Sequence, residues 1–244
     1  YLCTPFSRKS ADILFHEVKV KVFKVGSGEL TNIPLQKFIA HKKLPTIIST
    51  GMSTLEEVKY TFDQIYKINK KIVLTQCTSI YPCPYEYSDI GVITQYREKF
   101  SVPIGLSDHT NSIYTSLGAV ALGACLIEKH FTLNKKSKGP DHASSIEPNE
   151  LKELVDGSNA IFLARSSKKK IHEKEKEIIK WARESVVSTE NIKKNQILTE
   201  KNTSVKRPAP TKNIIPAKKF FSILGKRASK NIIKDRQIRW KDIK

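Results

Sequence analysis

The sequence predicts an α/β fold in which short parallel strands alternate with crossover helices. Short apolar runs rich in β-branched residues recur along the chain, as is typical of strands buried on both faces. Helical stretches separate these runs, which favours parallel pairing. Each run is followed at once by Gly or polar side chains, at the strand end where barrels and doubly wound sheets both build active sites. The pattern favours a (β/α)8 barrel but leaves the doubly wound sheet open.

Six runs carry the strand pattern, and the first opens directly at Tyr1. We therefore expect the chain to begin in the middle of a strand. The runs are YLCTPFS (1–7), VFKVGSGE (22–29), TIISTGM (46–52), IVLTQCTSIYP (72–82), VPIGLSDHT (102–110) and CLIEKHFT (125–132).

The stretches between the runs carry helix signals. Ser10 is a plausible N-cap for the first helix, and Pro34 and Pro148 suit the first turn of two others. Residues 53–56, Ser-Thr-Leu-Glu, nearly match a capping box. Residues 112–124 are small and apolar, which suits close packing against a sheet.

The composition changes in the last third of the chain. Residues 166–184 are almost continuously charged, and we interpret them as a linker with some helix. Residues 185–244 are apolar-poor and punctuated by Pro and Gly, which predicts a small, loop-rich second domain. We therefore expect a first domain over 1–165, a linker over 166–184 and a second domain over 185–244.

The charge of the chain is strongly positive, +19 over 244 residues. Residues 185–244 hold sixteen Lys/Arg and four Asp/Glu, a local balance of +12. Such a field attracts anionic substrates or polyanions, although scattered lysines fit a solvated surface equally well. No apolar run approaches the ~20 residues that span a bilayer, no signal peptide is visible, and the four cysteines form no CxxC pair. These features predict a cytoplasmic protein with reduced thiols rather than a disulfide framework or a zinc site.

Six motifs in chain order resemble those of the sialic acid synthase (N-acetylneuraminate synthase) family. They are KVGSGELTN, STGMSTLEEV, CTSIYPCPYE, GLSDHT, IEKHFTL and GPDHASSIEP. The tail, with ENIKKNQILTEKNTSVKRP and ILGKRA, resembles the family's antifreeze-like SAF domain. The resemblance implies a partial TIM (β/α)8 barrel, its last six βα units, followed by a small β-rich β-clip domain. The first run matches the family's third strand, so we expect the chain as given to lack two βα units and to be inactive alone.

The resemblance also implies an activity, a cofactor and an assembly. The family condenses phosphoenolpyruvate with N-acetylmannosamine, giving N-acetylneuraminate and phosphate, with a divalent metal that is usually Mn²⁺ and otherwise Mg²⁺ or Co²⁺. Its homodimer is domain-swapped, so that each SAF cap covers the partner's pocket. Legionaminic or pseudaminic acid synthesis is the alternative, and KVGSGE favours the sialic and legionaminic branch. A non-enzymatic module that binds glycan or nucleic acid is a further alternative from another class.

The same motifs assign roles to individual residues. The resemblance implies that His109 and His130 hold the metal and that Glu29 transfers a proton or holds a catalytic water. Asp108 and Glu128 would orient the histidines or pair with Lys129. The implied substrate-binding residues are Thr4, Lys24, Ser27, Ser49, Ser79, Tyr81, Ser107, Asp141 and Arg207. The cap loop departs from the family where a Gly usually follows KRP, and Asn195 stands where a Gly is common.

Overall fold

A computed structural model describes residues 1–165 and 168–244. The chain divides into two compact units, Tyr1–Ser166 and Ser167–Lys244. The first two residues of the predicted linker, 166 and 167, lie outside the described residues. None of the helices in the described ranges is both long and apolar enough to cross a membrane.

The first unit is built on one parallel sheet of five strands with helices between them. Its strands pair in chain order, each with the next, and every pairing is parallel. The strands are β1 Phe23–Val25, β2 Thr46–Ser49, β3 Ile72–Cys77, β4 Ile104–Asp108 and β5 Ile127–Lys129. The helices are α1 Arg8–His16, α2 Ile33–His41, α3 Leu55–Tyr66, α4 Val92–Lys99, α5 Tyr114–Leu122 and α6 Pro148–Ala164. This arrangement is a half-barrel and confirms the predicted fold class.

The first predicted strand, residues 1–7, is not formed, so five of the six expected strands are present. Tyr1 and Leu2 are exposed by 92% and 46%. Pro5 has no backbone N–H to give to a ladder. Ser7 instead caps α1, because its Oγ accepts from the amide of Ser10 at 3.1 Å. The cap of α1 is thus Ser7 rather than the predicted Ser10.

The core of the first unit lies between the sheet and its helices. β2 and β4 are buried along their whole length, as expected for strands covered on both faces. Phe23, Ile48, Leu74 and Ile104 are each at most 2% exposed. Full burial of one such side chain stabilises the fold by roughly 1.5–3 kcal/mol. This packing fixes the strands whose carboxyl ends build the site described below.

The second unit has a separate core and little regular structure. It contains α7 Glu175–Ala182, α8 Phe220–Ile223 and an antiparallel pair, β6 Ser185–Ser188 and β7 Thr203–Lys206. Asn195 has φ 69°, the left-handed conformation that Asn tolerates. The core side chains are Val186, Ile192, Leu198, Ile215, Ile223, Ala228, Ile232 and Ile238.

Candidate active site

A cavity of about 600 Å³ lies at the carboxyl ends of the five strands of the first unit. It is lined by one or more predicted site residues from each strand end and from the segment before α1. These residues are Thr4, Lys24, Ser27, Ser49, Ser79, Tyr81, Ser107, His109 and His130. Neighbouring strands of a parallel sheet end at one edge, which is why residues far apart in the chain meet here.

One wall of the cavity joins a buried cation to hydroxyl groups. Lys24 is 6% exposed, and its Nζ donates to Ser49 Oγ at 2.6 Å. Ser49 Oγ is 2.9 Å from Thr75 Oγ1. Ser27 Oγ accepts from the amide of Gly51 at 3.0 Å, which fixes the turn after β2. An ammonium held among hydroxyls in this way is suited to a phosphate or carboxylate.

Two histidines face each other across the cavity, with ring centres 5.2 Å apart. His109 Nδ1 lies 2.8 Å from the carbonyl oxygen of Thr78, to which it can donate. His130 Nδ1 lies 3.8 Å from Asp141 Oδ2. The contact with Thr78 orients the imidazole of His109 and leaves its Nε2 for a metal or a substrate, whereas the distance between His130 and Asp141 is too long for a hydrogen bond. The ring of Tyr81 packs 4.1 Å from His109 and 5.6 Å from His130, between centres.

The pKa values of the two histidines are shifted in opposite directions. Burial lowers the pKa of His109, but its contacts with Cys77 and the carbonyl of Thr78 outweigh burial and raise that pKa above its ordinary value. Burial and the neighbouring His109 lower the pKa of His130. Two imidazoles this close therefore resist carrying two protons at once.

A buried ion pair lies directly behind the histidines. Asp108 Oδ2 is 3.1 Å from Lys129 Nζ, and both side chains are at most 4% exposed. Asp108 also accepts from the hydroxyls of Thr115 and Ser116 at 2.7 and 2.6 Å. Burial raises the pKa of Asp108, but Lys129 and these hydroxyls more than compensate and lower it. The pair ties the end of β4 to the end of β5, each of which is followed by a histidine.

Two further cavity residues were not assigned substrate contacts from the sequence. Cys77 lies in the cavity wall with its Sγ 3.4 Å from Ser27 Oγ. Burial raises the pKa of the Cys77 thiol, but His109 and Ser27 outweigh burial and lower that pKa. Glu128 faces the cavity instead of pairing with Lys129. Its buried Oε2 is 3.3 Å from Lys24 Nζ but accepts no well-oriented hydrogen bond from the described residues.

Three predicted residues lie outside the cavity lining. Glu29 is half-buried and accepts from the side-chain amide of Asn32 at 2.7 Å. Asp141 lies next to the cavity lining, with its Oδ2 3.8 Å from Nδ1 of His130. Arg207 belongs to the second unit, where its Nε donates to the carbonyl of Ala182 at 3.1 Å.

Comparison with known proteins connects this cavity to an enzyme family. The NeuB family model matches residues 1–170 and the SAF domain model matches residues 183–244. The chain is 42% identical over 243 residues to the N,N'-diacetyllegionaminic acid synthase of Campylobacter jejuni, covering 98% of this chain and 72% of that protein. It is 36% identical over 222 residues to human N-acetylneuraminate-9-phosphate synthase, covering 90% of this chain and 61% of that protein.

A solved structure gives the same connection. The N-acetylneuraminic acid synthetase of Leptospira borgpetersenii superposes with a TM-score of 0.68 at 32% identity, covering 72% of this chain and 62% of that one. The chain therefore spans between about three fifths and three quarters of the length of these three relatives.

Proposed function

The chain belongs to the NeuB family and carries a SAF domain, and from that premise we propose that it condenses phosphoenolpyruvate with an N-acetylated amino sugar. The products are a sugar acid and inorganic phosphate. N-acetylmannosamine, which gives N-acetylneuraminate, is one acceptor, and a diacetylated sugar leading to a legionaminic acid is the other. The relative from Campylobacter jejuni favours the second.

The observation that carries the proposal is the buried Lys24 ammonium among serine hydroxyls, opposite the paired histidines. Phosphoenolpyruvate is a small molecule with two anionic groups, and it needs both cations and hydroxyl donors. Lys24 supplies the charge, and Ser27, Ser49 and Ser107 line the same cavity. The amino sugar then approaches from the side of His130 and Asp141.

The residues of the cavity fit a divalent cation such as Mn²⁺. His109 Nδ1 faces the carbonyl oxygen of Thr78, so its Nε2 is available as a ligand, and His130 offers a second imidazole 5.2 Å away between ring centres. Among the described residues, no group of three or more His, Cys, Asp or Glu side chains is placed to hold a metal ion, so the two imidazoles would be the protein ligands. Water and substrate oxygens would occupy the other positions around the cation. When bound, the cation would polarise the aldehyde oxygen of the sugar.

The proposed reaction forms one C–C bond and one C–O bond and breaks one C–O bond. The methylene carbon of phosphoenolpyruvate attacks the aldehyde carbon, and water adds to the carbon that carries the phosphate ester. One proton of the water goes to the former aldehyde oxygen and the other to the phosphate, which leaves with the C–O electron pair as the water oxygen becomes the ketone. Lys24 and the serine hydroxyls would hold the phosphoryl oxygens throughout. Glu128 faces the cavity, so we propose it, ahead of Glu29, as the carboxylate that positions the water.

We also propose that the active form is a homodimer in which Arg207 serves the partner's site. The support is the match of residues 183–244 to a SAF domain and the position of Arg207 within it. In a swapped dimer, Arg207 would approach the sugar rather than phosphoenolpyruvate.

The function can be tested by assaying phosphate release in the protein at the length that its gene encodes. We expect release only with phosphoenolpyruvate, an acceptor sugar and a divalent metal together. His109→Ala and His130→Ala should abolish turnover and Mn²⁺ binding measured by titration calorimetry, because each removes one of two imidazole ligands. His41→Ala, at the exposed last residue of α2, is the matched control. Full activity of both site variants after chelation and Mn²⁺ addition would refute the metal assignment.

A further inference from the structure

The loop between β5 and α6 carries Asp141 next to the cavity lining. This loop leaves the end of β5 and returns beside it. The amide of Ile146 donates to the carbonyl of His130 at 2.8 Å, and the amide of Thr132 donates to the carbonyl of Ile146 at 3.0 Å. The two ends of the loop are therefore fixed beside a histidine of the site, and the path between them decides where Asp141 stands.

His142 connects the far part of this loop to its start. Its Nδ1 lies 2.7 Å from Oγ1 of Thr132, a residue that is 6% exposed. The Thr132 hydroxyl also donates to the carbonyl of Asn134 at 3.3 Å and accepts from the amide of Asn134 at 3.2 Å. Its remaining lone pair therefore accepts from Nδ1–H of His142. A Cβ at Gly139 would lie 2.9 Å from Cδ2 of His142, so the loop can pass this close to the imidazole because residue 139 has no side chain.

The backbone of Asp141 is fixed by the turn that follows it. Its carbonyl accepts from the hydroxyls of Ser144 at 3.1 Å and Ser145 at 2.7 Å, and both serines are at most 2% exposed. The Asp141 carboxylate, in contrast, accepts no hydrogen bond from the described residues and lies 3.8 Å from Nδ1 of His130. A carboxylate on a fixed backbone, with its oxygens unused, is placed to accept from a ligand.

We infer, resting on the proposed function, that His142 is a positioning residue for the acceptor sugar. Its hydrogen bond to Thr132 holds Asp141 beside His130, where the carboxylate accepts from a hydroxyl or an amide of the sugar. The imidazole of His142 does not line the cavity and acts through Asp141. Phosphoenolpyruvate is held at the wall formed by Lys24 and the serine hydroxyls, so loss of the contact affects use of the sugar alone.

The two Michaelis constants test the inference in the protein at its gene-encoded length. KM is measured for phosphoenolpyruvate and for the acceptor that supports turnover of the wild type, N-acetylmannosamine or a diacetamido-deoxyhexose. His142→Leu should raise KM for the sugar about tenfold, as expected for loss of one buried hydrogen bond, and leave KM for phosphoenolpyruvate within about twofold. His142→Asn offers an N–H in place of Nδ1–H and should restore most of the sugar affinity. His16→Leu, at the exposed end of α1, is the matched control and should change neither value.

A double variant separates this role from a merely structural one. Because His142 acts through Asp141, His142→Leu should raise KM for the sugar no further once Asp141→Asn is present. Thr132→Val removes the same hydrogen bond from the other side and gives the test where His142→Leu fails to fold. An unchanged KM for the sugar, an equal rise in both KM values, or additive effects in the double variant would overturn the inference alone. Absence of phosphate release from the wild type with either sugar would overturn the proposed function, and the inference with it.

Discussion

Gly51 stands at a point where three side chains of the site converge. A Cβ at this position would lie 2.3 Å from Ser79 Oγ, 2.8 Å from Ser27 Oγ and 3.1 Å from Cys77 Sγ. All three distances are shorter than the optimal separation of nonbonded atoms. At the scale of single residues, Ser27 and Ser79 can therefore keep their positions because residue 51 has no side chain.

Gly51→Ala should displace Ser27 and Ser79 and impair phosphoenolpyruvate use. We expect about a 10- to 100-fold fall in kcat/KM for phosphoenolpyruvate, because misplacement of binding groups by roughly 1 Å has this effect. Gly91→Ala is the control, since a Cβ there would meet nothing within 4 Å. Steady-state kinetics of the two folded variants tests this prediction, and equal kcat/KM values for phosphoenolpyruvate would contradict the role given to Gly51.

Much of the site could be predicted at the residue scale, because strand ends share one edge whatever the exact coordinates are. The rule predicts that polar residues at the strand ends share one pocket, and the resemblance to the family singled out Lys24, Ser49 and Ser107 among them. Cys77 and Glu128 were missed as cavity residues because strand register decides which face a side chain takes. A signal was available: Cys77 and Glu128 precede Ser79 and His130 by two residues, and alternate residues of a strand share a face.

The start of α6 is stabilised by a compact polar arrangement. Glu150 Oε2 accepts from the amide of Glu147 at 2.9 Å, and Glu150 Oε1 accepts from Lys135 Nζ at 2.7 Å. Glu147 in turn accepts from the amide of Lys135 at 2.9 Å. Burial raises the pKa of Glu150, but Lys135 and the amide of Glu147 outweigh burial and lower it.

Glu150→Gln should cost about 0.5 kcal/mol of unfolding free energy at neutral pH, because Gln can still accept from the amide of Glu147 but loses the ion pair with Lys135. A carboxyl whose folded pKa is depressed stabilises the fold above its unfolded pKa of about 4.3 and loses that effect as pH falls through the folded pKa. The difference between wild type and variant should therefore shrink below about pH 4. Urea unfolding at several pH values measures it.

Glu153→Gln is the matched control for this prediction, because Glu153 is exposed on the same helix and has no ion pair among the described residues. It should change the unfolding free energy little at any pH. A Glu150→Gln difference that stays constant down to pH 3 would show that the carboxylate charge does not contribute.

The secondary-structure elements were predictable where the chain carries its own local signal. Pro34 and Pro148 do stand in the first turns of α2 and α6. The capping box of α3 is Thr54 with Glu57, one residue after the predicted set, because Ser53 with Glu56 and Thr54 with Glu57 both fit the capping-box spacing. The predicted first strand is not formed. A strand needs hydrogen bonds from a neighbouring strand, and no local sequence pattern shows whether they are present.

At the scale of the whole molecule, the two units have separate hydrophobic cores, and the core side chains of each unit pack against one another. The change of composition along the chain was enough to anticipate a second domain. The role of Arg207 is different, because within its own unit the guanidinium already contacts the carbonyl of Ala182 and lies 5.7 Å from the ring centre of Trp181. Its function in catalysis would come from assembly, which neither local pattern nor core packing encodes.

Subunit mixing tests that assembly. Arg207→Ala alone should raise KM for the sugar more than KM for phosphoenolpyruvate, since the proposed swap brings Arg207 only to the sugar end. Mixing Arg207→Ala chains with His109→Ala chains gives mixed dimers in which one site receives both defects and the other receives neither. A one-to-one mixture should then recover about a quarter of wild-type activity, because half of the dimers are mixed and each has one intact site. The measurement is phosphate release before and after joint refolding, with size-exclusion chromatography to follow the dimer. If dimers that are shown to be mixed recover no phosphate-release activity, Arg207 serves the site of its own subunit or no site.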